Sequence, residues 1–191
     1  MPISTSLDVS GPVIRLTGDI EMPLAYALVD EFSLLHDYYQ FRTVELHIDS
    51  PGGSADALHF LVHALEPWSR GEGRILSTFG MNEVASAAAM LLSFGTVGYR
   101  TASKRSRLLY HSVRNVQREN TSATVAQLRA VTRKLESWDR MFVDLLAEHS
   151  LSGRNGEDAV WFRARLRRLM RKERFITPEV ARDMKLLDKV I

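Results

Sequence analysis

The strand-like run Thr43-Val-Glu-Leu-His-Ile-Asp49 runs directly into Ser50-Pro51-Gly52-Gly53, and that junction limits the folds open to this chain. Proline and paired glycines stop a strand, and Ser54 is placed to cap a following helix with Leu58, Leu61, Val62 and Leu65 on its buried face. A strand followed by a helix is also the reading on either side. Val13–Thr17 reads as a strand before a helix over Pro23–Tyr39, and Arg74–Phe79 as a strand before a helix over Ala85–Ser93. Val97–Thr101 and Arg107–Val113 read as further strands. Strands alternating with helices predict a largely parallel sheet with crossover helices, hence an α/β fold.

Composition narrows the class. A chain of 191 residues that is 45% hydrophobic suits one domain with a sizeable core, spanning 1–191 with no internal repeat. Lys plus Arg number 25 against 23 Asp plus Glu, so the net charge of +2 implies no acidic partner and no nucleic acid. Cysteine is absent, which excludes disulfides, thiolate zinc sites and a thiol nucleophile. The first residues, MPISTSLDVSG, show neither the basic nor the apolar part of a signal peptide. The apolar stretch Val84–Tyr99 is broken by Ser86, Ser93, Gly95 and Gly98, too short and interrupted for a bilayer of roughly 30 Å. A soluble, cytoplasmic protein with no membrane partner is expected.

Beyond His111 the pattern becomes helical. Val125, Leu128, Val131, Leu135, Trp138, Phe142 and Leu145 recur at three- and four-residue steps across one long helix, Thr121–Glu148. Such a helix either lays its stripe on its own core or projects toward another subunit. Ser150–Gly156 is a turn-rich break. Asp158–Arg171 returns to helix with five arginines from Arg163 on, a solvated face on the plain reading. Thr177-Pro178 starts a last helix, and Leu187–Ile191 closes as a strand.

Three segments carry possible chemistry. Ser86 enters an alanine-rich helix, where free N–H groups favour developing negative charge; otherwise it is an ordinary buried serine. It is not a GxSxG elbow, since Val84 and Ala88 occupy the glycine positions. Gly52 and Gly53 make either a plain turn or a bare peptide N–H facing a reacting carbonyl. His111, in Leu108-Leu-Tyr-His-Ser-Val113, is either a satisfied core histidine or a general base. Of the six histidines it alone follows Ser86 at a strand end.

Taken in order, these segments resemble the Clp protease proteolytic subunit family over most of the chain. Val13-Ile-Arg-Leu-Thr-Gly18 resembles its opening strand, and His47-Ile-Asp-Ser-Pro-Gly-Gly53 its glycine turn. Met81–Leu92 resembles its nucleophile helix, Leu109-Tyr-His111 its histidine strand, and Glu173-Arg-Phe-Ile-Thr177 its C-terminal run. The resemblance implies a Clp protease/crotonase-type repeated β-β-α superhelical fold with a projecting handle helix, about residues 121–149. It implies Ser86 as nucleophile, His111 as base and the backbone N–H groups of Gly52 and Ala87 as oxyanion donors, with Gly53 at the substrate. The acid falls at Glu173, with Asp158, another nearby acid or an acid-free dyad left open. The implied activity is a serine endopeptidase cleaving unfolded chains or peptides inside a homo-oligomer, a ring or stacked rings, with no metal and no cofactor.

Three departures accompany the resemblance. Asn82 stands where the family usually has glycine, and Asn tolerates unusual backbone angles. The interval from His111 to Glu173 is lengthened by an atypical insertion over about 152–168. Only about a dozen residues precede the first strand, which leaves a Clp ATPase partner open and favours a standalone peptidase. Other classes give different expectations. A Ser–Lys pair using Lys104 needs a desolvated lysine, which its polar neighbours do not suggest. A non-catalytic ring subunit would keep the fold without turnover. An acyl-CoA-binding crotonase relative would not need an ordered Ser and His.

Overall fold

The computed structural model describes residues 6–71, 73–114, 124–150 and 156–191. Its frame is one seven-stranded sheet: β1 (Ser6–Ser10), β2 (Val13–Ile20), β3 (Thr43–Gly53), β4 (Ile75–Ala85), β5 (Arg100–Ala102), β6 (Arg107–Leu109) and β7 (Lys189–Val190). The spatial order is β1-β2-β3-β4-β5-β7, with β6 paired to the far end of β4. All pairings are parallel except the β1–β2 hairpin, which turns at Gly11 with φ +60°. That hairpin lies outside the strands the sequence reading expected: Leu7 and Val9 do alternate with Ser6, Asp8 and Ser10, but over only five mostly exposed residues.

The helices are α1 (Met22–Ser33), α2 (Ala55–Ala64), α3 (Glu66–Ser69), α4 (Ala87–Ser93), α5 (Val125–Ser150), α6 (Gly156–Met170) and α7 (Pro178–Asp183). Ser54 caps α2 as expected, its side chain accepting the Ala57 N–H at 3.3 Å. The expected helix Pro23–Tyr39 is α1 followed by a π-helical turn, Leu34–Tyr38. Ile14, Leu16, Val44, Leu46, Ile48 and Leu76 are buried beneath Leu28, Phe32, Leu58 and Leu61 of α1 and α2. At about 1.5–3 kcal/mol for each large aliphatic side chain, this layer dominates stability.

Two strands run further than the sequence suggests. Pro51-Gly52-Gly53 does not stop β3: after a register shift, Asp19 and Ile20 pair with Gly52 and Gly53. β4 continues from Phe79 through to Ala85. Proline lacks a donor, but Ser50 compensates: its buried hydroxyl donates to the Gly18 carbonyl at 2.6 Å and accepts the Gly52 N–H at 3.1 Å. Conversely, the strand expected over Arg107–Val113 ends at Leu109, and the one over Val97–Thr101 is only Arg100–Ala102. Both are held by few neighbours.

α5 is the long helix predicted. Only its C-terminal half is rooted, through Phe142, Val143, Leu146 and Ala147, while Val125 and Leu128 stand 64% and 48% exposed. Residues 121–123 of the expected handle and 152–155 of the expected insertion lie outside the described residues. The rest of that insertion is not a bare solvated face: within α6, Phe162 and Leu166 are buried. Among the described residues no helix is long and apolar enough to cross a membrane.

Candidate active site

Ser86 sits at the junction of β4 and α4 as the helix N-cap, with φ +57° and ψ −126°. Left-handed φ is unfavourable for a residue with a Cβ, by about 1–3 kcal/mol, and survives only when its surroundings impose it. They do so here. The Ser86 N–H donates to the Leu109 carbonyl at 2.8 Å, while α4 beyond it is wholly buried. The serine is therefore held on a sharp strand-to-helix turn, partly open to solvent, although its flanking residues lack the elbow glycines.

The glycine that such a turn needs comes from another strand. A Cβ placed on Gly52 would stand 2.6 Å from Ser86 Cβ, 2.7 Å from the Ala85 oxygen and 3.0 Å from the Ala87 nitrogen. No side chain fits there, and φ of +107° disfavours one independently. β3 thus brings bare backbone against Ser86 and Ala87. The Gly52 N–H itself is engaged by Ser50 Oγ. Gly53 is packed as closely on Ile20, and Ser54 N–H donates to the Ile20 carbonyl at 2.8 Å.

The strand ends are tied together by Asp49. It accepts the Asn82 side-chain amide at 2.6 Å and the Glu83 N–H at 3.2 Å, across the point where β4 carries extra residues relative to β3. Asn82 is thus a tie between strands rather than a replacement for a left-handed glycine. Arg107 on β6 closes the same arch through an ion pair with Glu83 at 2.6 Å.

His111 follows β6. Ala85 pairs with Leu109 in parallel register and the Ser86 N–H donates to the Leu109 carbonyl, so His111 stands two residues beyond the point where β6 meets Ser86. Its Nδ1 lies 2.6 Å from the Ser112 carbonyl. A carbonyl only accepts, so Nδ1 is the protonated nitrogen, and in the neutral ring Nε2 keeps its lone pair. The segment beyond is fastened by the Val113 N–H donating to Asp139 on α5 at 2.7 Å.

Glu173 is brought to the same neighbourhood. Leu108 and Ile176 exchange two backbone hydrogen bonds, 3.1 and 2.8 Å, as an antiparallel bridge. Glu173 lies three residues before that bridge, in a turn where its N–H donates to the Met170 carbonyl at 3.3 Å. Its carboxylate, however, is paired at 2.7 Å with Arg114, both side chains about half exposed. The backbone of Glu173 also has positive φ, +44°. Asp158, the alternative acid, lies on the exposed side of α6. Sequence reading missed Ser50, Asp49 and Arg114. Only Ser50 carried a signal, as the first residue of the Ser-Pro-Gly-Gly segment. Among the described residues no group of three or more His, Asp or Glu could hold a metal ion.

A family model, Clp protease, matches residues 9–191. The chain belongs to the Clp protease family, a family of serine peptidases. ATP-dependent Clp protease proteolytic subunit 2 of Frankia casuarinae is 32% identical over 151 residues, covering 78% of this chain and 61% of its own length. Proteolytic subunit 1 of Thermobifida fusca is 28% identical over 179 residues, 94% of this chain and 73% of the relative. Proteolytic subunit 2 of Mycobacterium leprae is 28% identical over 179 residues, 94% and 77% respectively. The chain thus spans about three fifths to four fifths of the relatives it matches. Its mixed α/β sheet and long α5 fit the Clp protease fold.

Proposed function

We propose that this chain is a serine endopeptidase that hydrolyses peptide bonds of unfolded polypeptides or peptides by a Ser-His-acid mechanism. The observation that carries the reading is the strained turn at Ser86, packed against side-chain-free backbone at Gly52. In the proposed reaction, Ser86 Oγ attacks the scissile carbonyl as His111 Nε2 takes its proton. The carbonyl oxygen becomes the anion of a tetrahedral intermediate. It is received by the Ala87 N–H, which α4 leaves without a helical partner, and by the glycine turn. Gly52 serves there once its N–H exchanges Ser50 for the oxyanion, with Gly53 beside it against the substrate backbone. His111 then protonates the leaving amine, and water reverses the sequence to free Ser86. Glu173 is the proposed acid, turning from Arg114 to His111 Nδ1 as the developing imidazolium draws the carboxylate.

The exposed stripe on α5 supports a homo-oligomer. Val125 and Leu128 continue the same helical face as the rooted Phe142, and a second copy would cover them. Rings, stacked and enclosing a chamber in the cytoplasm, are the proposed assembly. The names of the relatives bring an ATPase partner into consideration, but the hydrolytic step itself needs none.

The test is covalent labelling by a fluorophosphonate probe. Labelling of the native chain, its loss in Ser86→Ala and a fall of about 10³-fold or more in His111→Ala are the expected results. A native chain that neither labels nor cleaves an unfolded substrate would leave a ring subunit without turnover.

A further inference from the structure

The arginines of α6 have a second address. Between α5 and α6 lies a cleft of about 200 Å³, and one wall is Ser112, the residue whose carbonyl holds His111. Val143 and Met170 form its apolar floor, and Arg140, Arg167 and Arg171 stand around it with one carboxylate, Asp139. All three arginines are exposed, and among the described residues none makes an ion pair. Against three arginines the lining sets the single carboxylate Asp139, so the cleft keeps a net positive charge, and the other nearby carboxylates are held by other arginines. Asp139 accepts the Val113 N–H, Asp144 holds Arg163 at 2.6 Å, and Glu173 holds Arg114.

Arg167 and Arg171 are four apart on one helical face, as the Arg171 N–H to Arg167 carbonyl hydrogen bond of 3.2 Å shows. Like charges at that spacing repel, and Arg140 from α5 adds a third. An anion seated among them relieves that repulsion, and planar guanidinium groups match a carboxylate in geometry as well as charge. The methylene stem of such a ligand would lie on Val143 and Met170.

We infer that this cleft binds the side-chain carboxylate of an Asp or Glu in the peptide substrate, next to the bond being cut, and so selects acidic sequences. The inference rests on the peptidase reading for its meaning, because the cleft is tied to the site by Ser112, which lines it and whose carbonyl meets His111. It also explains the arginine-rich insertion, which supplies Arg167 and continues into Arg171.

The test uses acetylated, amidated peptides that differ only in the residue preceding the scissile bond: Glu, Gln, Leu or Lys. For the native chain, kcat/KM for Glu should exceed that for Gln by about tenfold to a hundredfold. In Arg167→Ala/Arg171→Ala the ratio should fall toward one. Arg171→Glu should shift preference toward Lys, and Arg167→Lys/Arg171→Lys should restore part of it. A native Glu-to-Gln ratio at or below one overturns the inference.

A binding arm separates this from the peptidase reading. Fluorescence anisotropy with labelled Glu and Gln peptides is measured on Ser86→Ala, where no cleavage occurs. Equal binding of the two also overturns the inference. Selective binding of Glu by a chain whose native form resists the fluorophosphonate probe would sink the peptidase reading and keep the cleft as a carboxylate site.

Discussion

At the scale of single residues, Ser86 and Gly52 are two halves of one constraint. Ser86 adopts left-handed φ because the Leu109 carbonyl and buried α4 fix both of its sides, and Gly52 leaves the space in which it does so. Two substitutions separate strain from chemistry. Ser86→Gly removes the Cβ penalty, so relative to Ser86→Ala it is expected to raise stability by about 1 kcal/mol in urea unfolding, with both inactive. Gly52→Ala puts a methyl 2.6 Å from Ser86 Cβ. It is expected to lose fluorophosphonate labelling by 10²-fold or more and to unfold earlier. Normal labelling in Gly52→Ala would mean that the strand ends do not meet as described. Both residues were legible in the sequence as chemistry-bearing types. Their strain was not, because φ of a serine is decided by what lies on either side of it in space.

At the scale of elements, α5 shows how pattern and position divide. The three-and-four repeat from Val125 to Leu145 announces a helix with one apolar stripe. It does not announce where the stripe leaves the core. That point lies near Trp138, whose ring stacks on Phe142 at 5.5 Å and meets His59 of α2 edge-on at 4.9 Å. Toward the N-terminus Val131 and Leu135 are half-buried, and Val125 and Leu128 are exposed among the described residues. Leu128→Asp should therefore cut the solution mass measured by light scattering without lowering the helix content of the isolated subunit. An unchanged mass would assign assembly to another surface. The same division holds for β3 and β4. Proline and glycine predicted an end to β3, yet its ladder continues because Ser50 meets the turn's hydrogen-bonding needs from the side.

At the scale of the whole molecule, the C-terminus of α5 is locked to the sheet by a buried polar cluster. Arg100, 2% exposed, donates to both Asp188 oxygens at 2.7 and 2.9 Å and to Ser150 Oγ at 3.0 Å. Burial alone would raise the Asp188 carboxyl, but the Arg100 hydrogen bonds and charge outweigh it and hold the group below its usual value. Beside it, burial pulls His149 down to about 4, against the hydrogen bond it donates to the Gly95 carbonyl. An unfolded chain protonates that imidazole below 6.5, whereas the folded chain resists until about 4. The unfolded state binds the extra proton, so stability falls as pH falls through that window, by about 3 kcal/mol. Asp188 adds a further loss in more acidic solution, once its carboxylate takes up a proton in the folded state. Urea unfolding from pH 7 to 4 should show the first decline in the native chain, flattened in His149→Gln. An equal slope in both would place the titrating group elsewhere.

The amino-acid sequence by itself determined the parallel α/β frame, the long helix and the segments that carry Ser86, His111 and the glycine turn. These follow from local periodicity, turn chemistry and order along the chain, which are properties of neighbouring residues. Tertiary structure alone decided the rest. It set the backbone angle of Ser86, engaged Gly52 N–H with Ser50, paired Glu173 with Arg114, and gathered three arginines, without ion pairs among the described residues, around one cleft. Each depends on contact between segments tens of residues apart, and strand register and helix packing, rather than local pattern, fix which of them meet.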